Sequence, residues 1–331
     1  MQLVRKLGGL ALAAAVAGAM LAGPAGAEEK IRAVAMFPKS LIYVQSFLKF
    51  IDKVNAAGKG IVQIQFVGGP EAIPTFEQAD AVRNGVIDMV YGPGSYYPGV
   101  VPETDALVGS NVTPMEQRAN GGIDLFNKIH QQKLNVYYLG HIDGGIKFHI
   151  YLKDKPKFRS DGSLDLTGVK LRGAPIYREF FIGLGATFVQ IKVPEVYTAL
   201  ERGTVDGLGW TSIGLMDLSW DKHLKYRIDP GFFQTDLGIL VNLDKWKSLS
   251  PASRDLLQKI AIAYEKESLD ALEAKRRVED AEIRKRGMQI VELKGVAAKN
   301  YLEGVYRVPW ERLKKRDPTN YEALRAKFFK E

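Results

Sequence analysis

The sequence predicts a mixed α/β protein built from two similar lobes, with one long helix near the C-terminal end. The segment 77–88 aligns without a gap to the segment 195–206. A short strand followed by a proline-marked loop occurs both after Ile31 and after Val169. A helical stretch without a breaker then begins at Pro251. Together these features indicate two related α/β units and an element that could connect them.

The aligned segments share Glu, Ala, Gly and Asp at the same four offsets. In each segment the glycine, Gly85 or Gly203, follows an amphipathic stretch and can adopt the left-handed conformation that ends a helix. β-branched residues follow each glycine at once, as at the start of a strand. Each segment is therefore interpreted as one helix–strand unit. So few identities also occur by chance in such a common unit, so the alignment favours a shared architecture without establishing it.

The second pairing places strands before Pro38 and Pro175, each followed by a helix. In open α/β sheets, ligands bind beyond the carboxyl ends of the strands. Four segments are expected to meet there: 37–40, 93–97, 172–176 and 209–212.

The long helix follows a strand-like run over Gly238–Asn242. Ser250 is a suitable N-cap, and Pro251 suits the first helical position. A helix from there to Gly287 has about 36 residues and a length of ~54 Å, enough to contact both lobes. A coiled coil is the alternative, but the stretch beyond Ala274 has too few apolar positions for sustained heptads.

Residues 1–27 have the pattern of a cleavable signal peptide: Arg5 and Lys6, an apolar run, and Ala25-Gly-Ala27 before a polar segment. An uncleaved membrane anchor is disfavoured because the run contains glycines and falls short of ~20 residues. The mature chain is expected to start near Glu28 and to be periplasmic. The absence of cysteine excludes a lipid-modified cysteine, disulfides and thiolate metal sites.

The remaining ~300 residues exceed what one hydrophobic core usually supports. The expected lobes are 28–145 with about 237–275, and about 146–236 with 276–331. The formal net charge is +8, and Arg5 and Lys6 contribute two of these charges. A mildly basic mature chain suits an anionic ligand, although a solvated surface has the same composition.

No enzyme class is indicated. The four histidines show no metal-ligand spacing, and nucleophile-elbow, phosphate-loop and complete dinucleotide motifs are absent. Nucleic-acid binding is also disfavoured, because the most basic run, Lys275 to Arg286, is interleaved with acidic residues and the chain is expected to be exported.

The segment Leu166 to Pro175 contains a G-x-K-L-R strand. It is followed by Gly185-Ala, by an E-V-Y-T-A-L helix from Glu195, and by the V-D-G strand that begins at Val205. This order of motifs resembles the core of the DctP-like family of periplasmic solute-binding proteins of TRAP transporters. The likeness extends to both lobes and to the long helix.

The resemblance implies a two-lobed periplasmic binding protein fold, type II-like, with a long C-terminal helix spanning both lobes. It implies a receptor without enzymatic activity that closes on a small organic carboxylate, such as a keto, hydroxy or aromatic acid. The partners would be a small and a large TRAP membrane subunit. A monomer without cofactor is expected, while a cation bridging ligand and protein stays open. The alternatives are a receptor for an ABC importer or chemoreceptor and, less favoured, an exported enzyme.

The family's strand arginine forms a salt bridge with the ligand carboxylate, and this role transfers to Arg172. A planar guanidinium offers a carboxylate two parallel donors, more directional than an ammonium group. Without the resemblance, an ordinary ion pair would be the simpler interpretation of Arg172.

Seven further residues are weaker candidates. Trp210 stands where many relatives have a polar residue, and it could stack on a ligand or donate its indole N–H. Lys147 replaces a frequent arginine and would supply a point charge, with His149 beside it. Tyr96, Tyr97, Phe233 and Asp236 are expected near strand ends that face the cleft.

The apolar candidates Trp210, Phe233, Tyr96 and Tyr97 favour an aromatic or branched ligand. Val193, where many relatives have phenylalanine, suggests a wider pocket. Core packing is the alternative interpretation for these positions.

Overall fold

The structure is a computed structural model that describes residues 28–330. The signal-peptide prediction for residues 1–27 lies outside the described residues. Within the described range, no helix combines the length and apolar character needed to cross a membrane.

Short strands and helices alternate along most of the described chain. The strands are β1 Glu29–Ala35, β2 Val62–Gly68, β3 Met89–Pro93, β4 Val136–Gly140, β5 Lys147–Leu152, β6 Lys157–Phe158, β7 Leu164–Asp165, β8 Lys170–Gly173, β9 Thr187–Gln190, β10 Gly207–Thr211, β11 Tyr226–Gln234, β12 Leu237–Asn242 and β13 Gln289–Glu292. The helices are α1 Ile42–Ala57, α2 Gln78–Arg83, α3 Asp105–Val108, α4 Pro114–Ala119, α5 Gly122–Leu134, α6 Arg178–Gly183, α7 Val196–Glu201, α8 Leu243–Ser248, α9 Pro251–Lys285, α10 Gly295–Arg316 and α11 Tyr321–Phe328.

Two mixed sheets form the centres of the two lobes. The first has the strand order β2-β1-β3-β12-β4, and the second has the order β13-β11-β5-β10-β8-β9. In the first sheet β1 is parallel to β2 and β3, while β12 is antiparallel to β3 and β4. In the second, β10 is parallel to β8 and antiparallel to β5. This arrangement confirms the predicted two-lobed α/β class.

The two aligned sequence segments form equivalent units. Gly85 and Gly203 follow α2 and α7 with φ values of 72° and 69°, as expected for left-handed helix ends. The strands begin later than predicted, at Met89 and Gly207, and each shared aspartate precedes its strand and is bonded to a neighbouring strand. The Asp88 and Asp206 carboxylates accept backbone N–H groups at the starts of the parallel pairings, from Arg32 and Lys170, at 2.7 and 2.8 Å.

The chain changes sheet between β4 and β5 and returns between β11 and β12. These two crossovers are joined by hydrogen bonds. The Thr235 hydroxyl donates to the Asp143 carbonyl at 2.6 Å, and the Thr235 N–H donates to the Ile146 carbonyl at 2.8 Å. The lobe boundaries near 145 and 236 remain a prediction, and they fall in these two segments.

The long helix α9 has 35 residues, and the Ser250 hydroxyl accepts the Ser253 N–H at 3.2 Å as its N-cap. Its buried carboxylates contact both lobes. Glu265 accepts the His141 N–H at 2.8 Å in the first lobe. Glu279 accepts the Gly214 and Leu215 N–H groups, at 2.9 and 3.0 Å, in the second. The helix therefore connects the two lobes of one chain, which argues against the coiled-coil alternative.

Replacement of Glu279 by alanine should destabilise the protein by ~1–3 kcal/mol, because two buried N–H groups lose their acceptor. Urea unfolding of the mature protein measures this change in free energy. Asp270→Ala is the matched control on the same helix. Asp270 is exposed and, among the described residues, pairs only with exposed Lys266, so its loss should cost less than ~0.5 kcal/mol. Equal effects of the two substitutions would contradict the bridging role of Glu279.

Candidate functional site

A small enclosed cavity lies between the two sheets, where the predicted segments meet. Each of the segments 37–40, 93–97, 172–176 and 209–212 contributes to its wall, which confirms the expectation from the strand ends. The lining residues used below are Phe37, Ser95, Tyr96, Phe148, Arg172, Trp210 and Asp236. The cavity's volume, counted as the space that the centre of a water molecule can occupy, is about 20 Å³. This is enough for about one water molecule. A larger ligand therefore requires the lobes to separate or the wall to move.

Arg172 lies near the end of β8 and is only 1% exposed. Its Nε donates to the Ile191 carbonyl at 3.0 Å. The guanidinium carbon lies 5.7 Å from the Trp210 ring centroid and 5.9 Å from that of Trp220, within cation–π range. Within residues 28–330, no carboxylate forms an ion pair with Arg172 within 4.0 Å. The simpler interpretation of Arg172, an ordinary ion pair, therefore finds no partner in the described chain.

Asp236 lies between β11 and β12 and is 1% exposed. Its Oδ2 accepts the Ser95 N–H at 2.5 Å, and its Oδ1 lies 3.5 Å from the Ser95 hydroxyl. Burial raises the pKa of the Asp236 carboxyl to about 7, against the opposing effect of the Ser95 hydrogen bonds. The cavity thus contains a permanent cation and an acid that titrates near neutral pH.

Aromatic rings from both lobes close the remaining wall. The Phe37 ring lies 5.7 Å from Tyr96 and 6.0 Å from Trp210, edge-on in both cases. Burial raises the pKa of the Tyr96 hydroxyl, while the nearby Arg172 charge opposes the rise. Phe37 therefore carries the apolar contact from the first lobe to the second.

Trp210 has one unsatisfied polar atom. Its indole Nε1 is buried and has no hydrogen-bond acceptor among the described residues. The atom lies beside the backbone of Gly214, 3.6 Å from the point that a β-carbon there would occupy. The predicted hydrogen bond from this N–H to a ligand stays a prediction.

Four of the predicted site residues, Arg172, Trp210, Tyr96 and Asp236, line the cavity together. The other four do not lie on its wall. The Tyr97 hydroxyl is 3.2 Å from His130 Nε2 in the first lobe. Phe233 packs on Phe180 at a centroid distance of 5.5 Å.

Strand alternation explains the placement of Lys147 and His149. In β5 it is Phe148, between them, that lines the cavity, because successive side chains point to opposite faces. His149 instead pairs with Asp229 at 2.9 Å, and burial lowers the pKa of Lys147. Val193 is buried but is not part of the cavity wall, so its smaller size does not widen this cavity.

Sequence reasoning missed Ser95 and Phe148. The alternation within β5 was a usable signal for Phe148. Ser95 lies in the predicted segment 93–97 but was not singled out, because its bond to Asp236, which is distant in sequence, leaves no local signal. In the part of the chain that the structure describes, no group of three or more His, Cys, Asp or Glu residues could hold a metal ion.

A family model described as bacterial extracellular solute-binding protein, family 7 (DctP), matches residues 34–308. The chain belongs to this family. Membership confirms the resemblance drawn from the arginine strand and the motifs that follow it, and it makes the protein a bacterial solute receptor that acts outside the cytoplasm. The cavity between the lobes is the candidate solute site of this family 7 protein.

Curated relatives are distant. A monocarboxylate 2-oxoacid-binding periplasmic protein of a Nostoc species is 25% identical over 241 residues, which are 69% of this chain and 64% of that protein. The alignment thus spans less than two thirds of that relative. A solute-binding protein of Albidiferax ferrireducens is 23% identical over 79% of this chain and 78% of its own length.

Solved structures share the fold. A TRAP transporter solute-binding protein of Bordetella bronchiseptica, with copurified calcium and picolinate, is 21% identical and has a TM-score of 0.79, with 91% of each chain covered. A marine metagenome TRAP protein with bound 3-hydroxybenzoate is 20% identical and has a TM-score of 0.75, covering 91% of this chain and 97% of its own. At these identities the likeness establishes the two-lobed fold of the family 7 protein.

The raised pKa of Asp236 predicts a pH-dependent stability of the ligand-free protein. Between the ordinary aspartate value and about 7, the folded protein holds a proton that the unfolded chain releases. The free energy of unfolding contributed by this group is therefore present at low pH and declines as the pH rises from about 4 to about 7.

Urea unfolding of the wild type and of Asp236→Asn at about pH 5 and about pH 8 measures this decline. Asparagine does not titrate, so the wild type should lose stability relative to the variant as the pH rises. Burial also raises the pKa of Asp143, to about 6. Because Asp143 is present in both proteins, its contribution cancels when the two free energies of unfolding are subtracted. If the difference in free energy of unfolding between the wild type and Asp236→Asn does not change with pH, the raised pKa of Asp236 is contradicted.

Proposed function

We propose that the protein is the periplasmic receptor of a TRAP-type secondary transporter and that it captures a small organic carboxylate between its lobes. The observation that carries this proposal is the buried Arg172 guanidinium without a carboxylate partner in the described chain. A buried charge is costly unless it is paired and hydrogen-bonded. An anionic ligand at Arg172 would supply both the charge and the acceptors.

The contacts of Arg172 suit a carboxylate in particular. Nε is engaged by the Ile191 carbonyl, and the Tyr96 hydroxyl also interacts with the guanidinium. The terminal nitrogens of the same planar group carry four N–H donors in all. Two parallel donors match the two oxygens of a carboxylate. The tryptophan rings beside the guanidinium restrict its orientation, so less conformational entropy is lost on binding.

Carboxylic acids are frequent among the ligands of the related structures, although one relative, of Fusobacterium nucleatum, has bound sn-glycerol-3-phosphate. Picolinate and 3-hydroxybenzoate are bound in two of those structures, and a Bordetella pertussis receptor binds pyroglutamic acid. All three are carboxylic acids. Their variety supports a carboxylate for this protein without naming which one, and the rings of Phe37, Tyr96 and Trp210 favour an aromatic or branched body.

Binding is proposed to be reversible and without covalent chemistry. The receptor would act as a monomer after removal of residues 1–27, and it would present the closed lobes to a small and a large membrane subunit. Closure around the ligand would bring together wall residues of both lobes, as Phe37 and Trp210 already meet.

A thermal-shift screen of the mature protein against organic acids, sugars and amines tests the ligand class. A ligand that binds the folded state raises the melting temperature, with a stabilisation of ~2.7 kcal/mol at a concentration of 100 times Kd. Carboxylates should stabilise the protein, and sugars and amines without a carboxylate should not. Stabilisation by the latter alone would overturn the proposal.

Arg172→Ala should weaken binding of the best carboxylate by ~2–5 kcal/mol, because a buried charge-assisted contact is lost. Arg172→Lys keeps the charge without the planar fork and should recover only part of the affinity. Isothermal titration calorimetry measures both. Arg178→Ala is the control, since Arg178 is exposed on α6 and should not affect affinity. Wild-type affinity in Arg172→Ala would remove this residue from the site.

A further inference from the structure

The cavity contains the cation Arg172 and, when it is ionised, the anion Asp236, and the two do not form an ion pair. Arg172 and Asp236 both line it, and each is 1% exposed. No ion pair within 4.0 Å joins them, whereas the closely paired acids and bases of the described chain, such as Asp105 and Arg312, meet at 2.5 Å. Both charged groups are therefore available to a bound molecule, at separate points on the wall.

Asp236 has acceptor capacity that the described chain does not use. An ionised carboxylate offers about four lone-pair positions. The Ser95 N–H occupies one on Oδ2, and the Ser95 hydroxyl approaches Oδ1 only at the limiting distance of 3.5 Å. The Asp236 carboxylate, which lines the cavity, therefore has lone-pair positions left for a further donor.

The position of Asp236 is fixed by the turn opposite it. The Gly94 N–H donates to the Asp236 carbonyl at 3.2 Å, so Gly94 and Ser95 hold both the backbone and the side chain of this residue. A β-carbon on Gly94 would lie 2.7 Å from Thr104 Cγ2 and 3.4 Å from Asp236 Oδ2. A glycine at this position therefore lets the turn pack closely against Thr104 and the Asp236 carboxylate.

We propose that the ligand carries, besides its carboxylate, a hydrogen-bond donor that binds Asp236, either a hydroxyl or a protonated nitrogen. This inference rests on the proposed function and specifies the second anchor of the same cavity. A ligand without such a donor would leave the buried Asp236 carboxylate unpaired. The ligand's own negative charge would also lie near that carboxylate, and both effects weaken binding. A site built for a donor rejects an analogue that lacks it far more strongly than an apolar pocket rejects a missing methylene.

Two sets of acids with a constant carbon skeleton test the inference by calorimetry on the mature protein. Isovalerate, α-hydroxyisovalerate and valine form the branched set, and phenylacetate, mandelate and phenylglycine form the aromatic set. Within a set, the hydroxyl and ammonium members should bind at least ~10-fold more tightly than the unsubstituted acid, since a factor of ten corresponds to ~1.4 kcal/mol. The two substituted members distinguish a hydroxyl from a nitrogen donor.

Asp236→Asn supplies the second arm, because asparagine keeps the shape and removes the negative charge. The variant should lose most of the preference for donors, and it should bind unsubstituted acids as tightly as the wild type or more tightly. Asp161→Asn is the control, since Asp161 is exposed on a turn. If Asp236→Asn does not fold, the comparison of ligands on the wild type alone still decides the question.

The inference is overturned if unsubstituted acids bind the wild type as well as their substituted counterparts, or if no donor-bearing member of either set binds. It is also overturned if Asp236→Asn weakens every acid by the same factor. These results differ from failure of the proposed function, in which no carboxylate of the screen stabilises the protein and Arg172→Ala has no effect.

Discussion

The buried charge of Arg172 is the constraint around which the cavity is organised. A guanidinium at this depth is stable only when polar groups surround it, and the described chain supplies a carbonyl from Ile191 and the faces of two tryptophans instead of a carboxylate. The acid in the cavity, Asp236, is held away from Arg172 by Ser95. Neutralisation of the cation is thereby left to the ligand.

The relation between the two lobes is set by a second group of buried polar contacts. Asp143 and Thr235 join the two crossover segments, and the Asp143 carboxylate accepts the Ser46 hydroxyl of α1 at 2.7 Å. Glu265 and Glu279 then attach α9 to one lobe each. Since hydrogen bonds of this kind are costly to break inside a protein, lobe movement is expected to bend the crossovers and leave these attachments intact.

In both lobes the same local interaction aligns a strand whose end lies at the cavity. Asp88 and Asp206 each accept a backbone N–H from the neighbouring parallel strand, and this bond aligns the start of β3 or β10 with its partner. Both strands then run buried to the cleft, where Ser95 and Tyr96 follow β3 and Trp210 lies near the end of β10. The sequence alignment of the two segments therefore reflects an equivalent structural role.

By itself, the sequence determined those features that depend on neighbours in the chain. The left-handed turns at Gly85 and Gly203 and the start of α9 at Ser250 follow from local conformational preferences, and Arg172 was identified by the motif around it. The tertiary structure decided which side chains share the cavity. It placed Phe148 on the wall in place of Lys147 and His149, and it joined Ser95 to Asp236 across 141 residues of chain. Alternation within β5 separates Phe148 from Lys147 and His149, but which face of the strand meets the cavity depends on strand pairing and on the packing of distant segments.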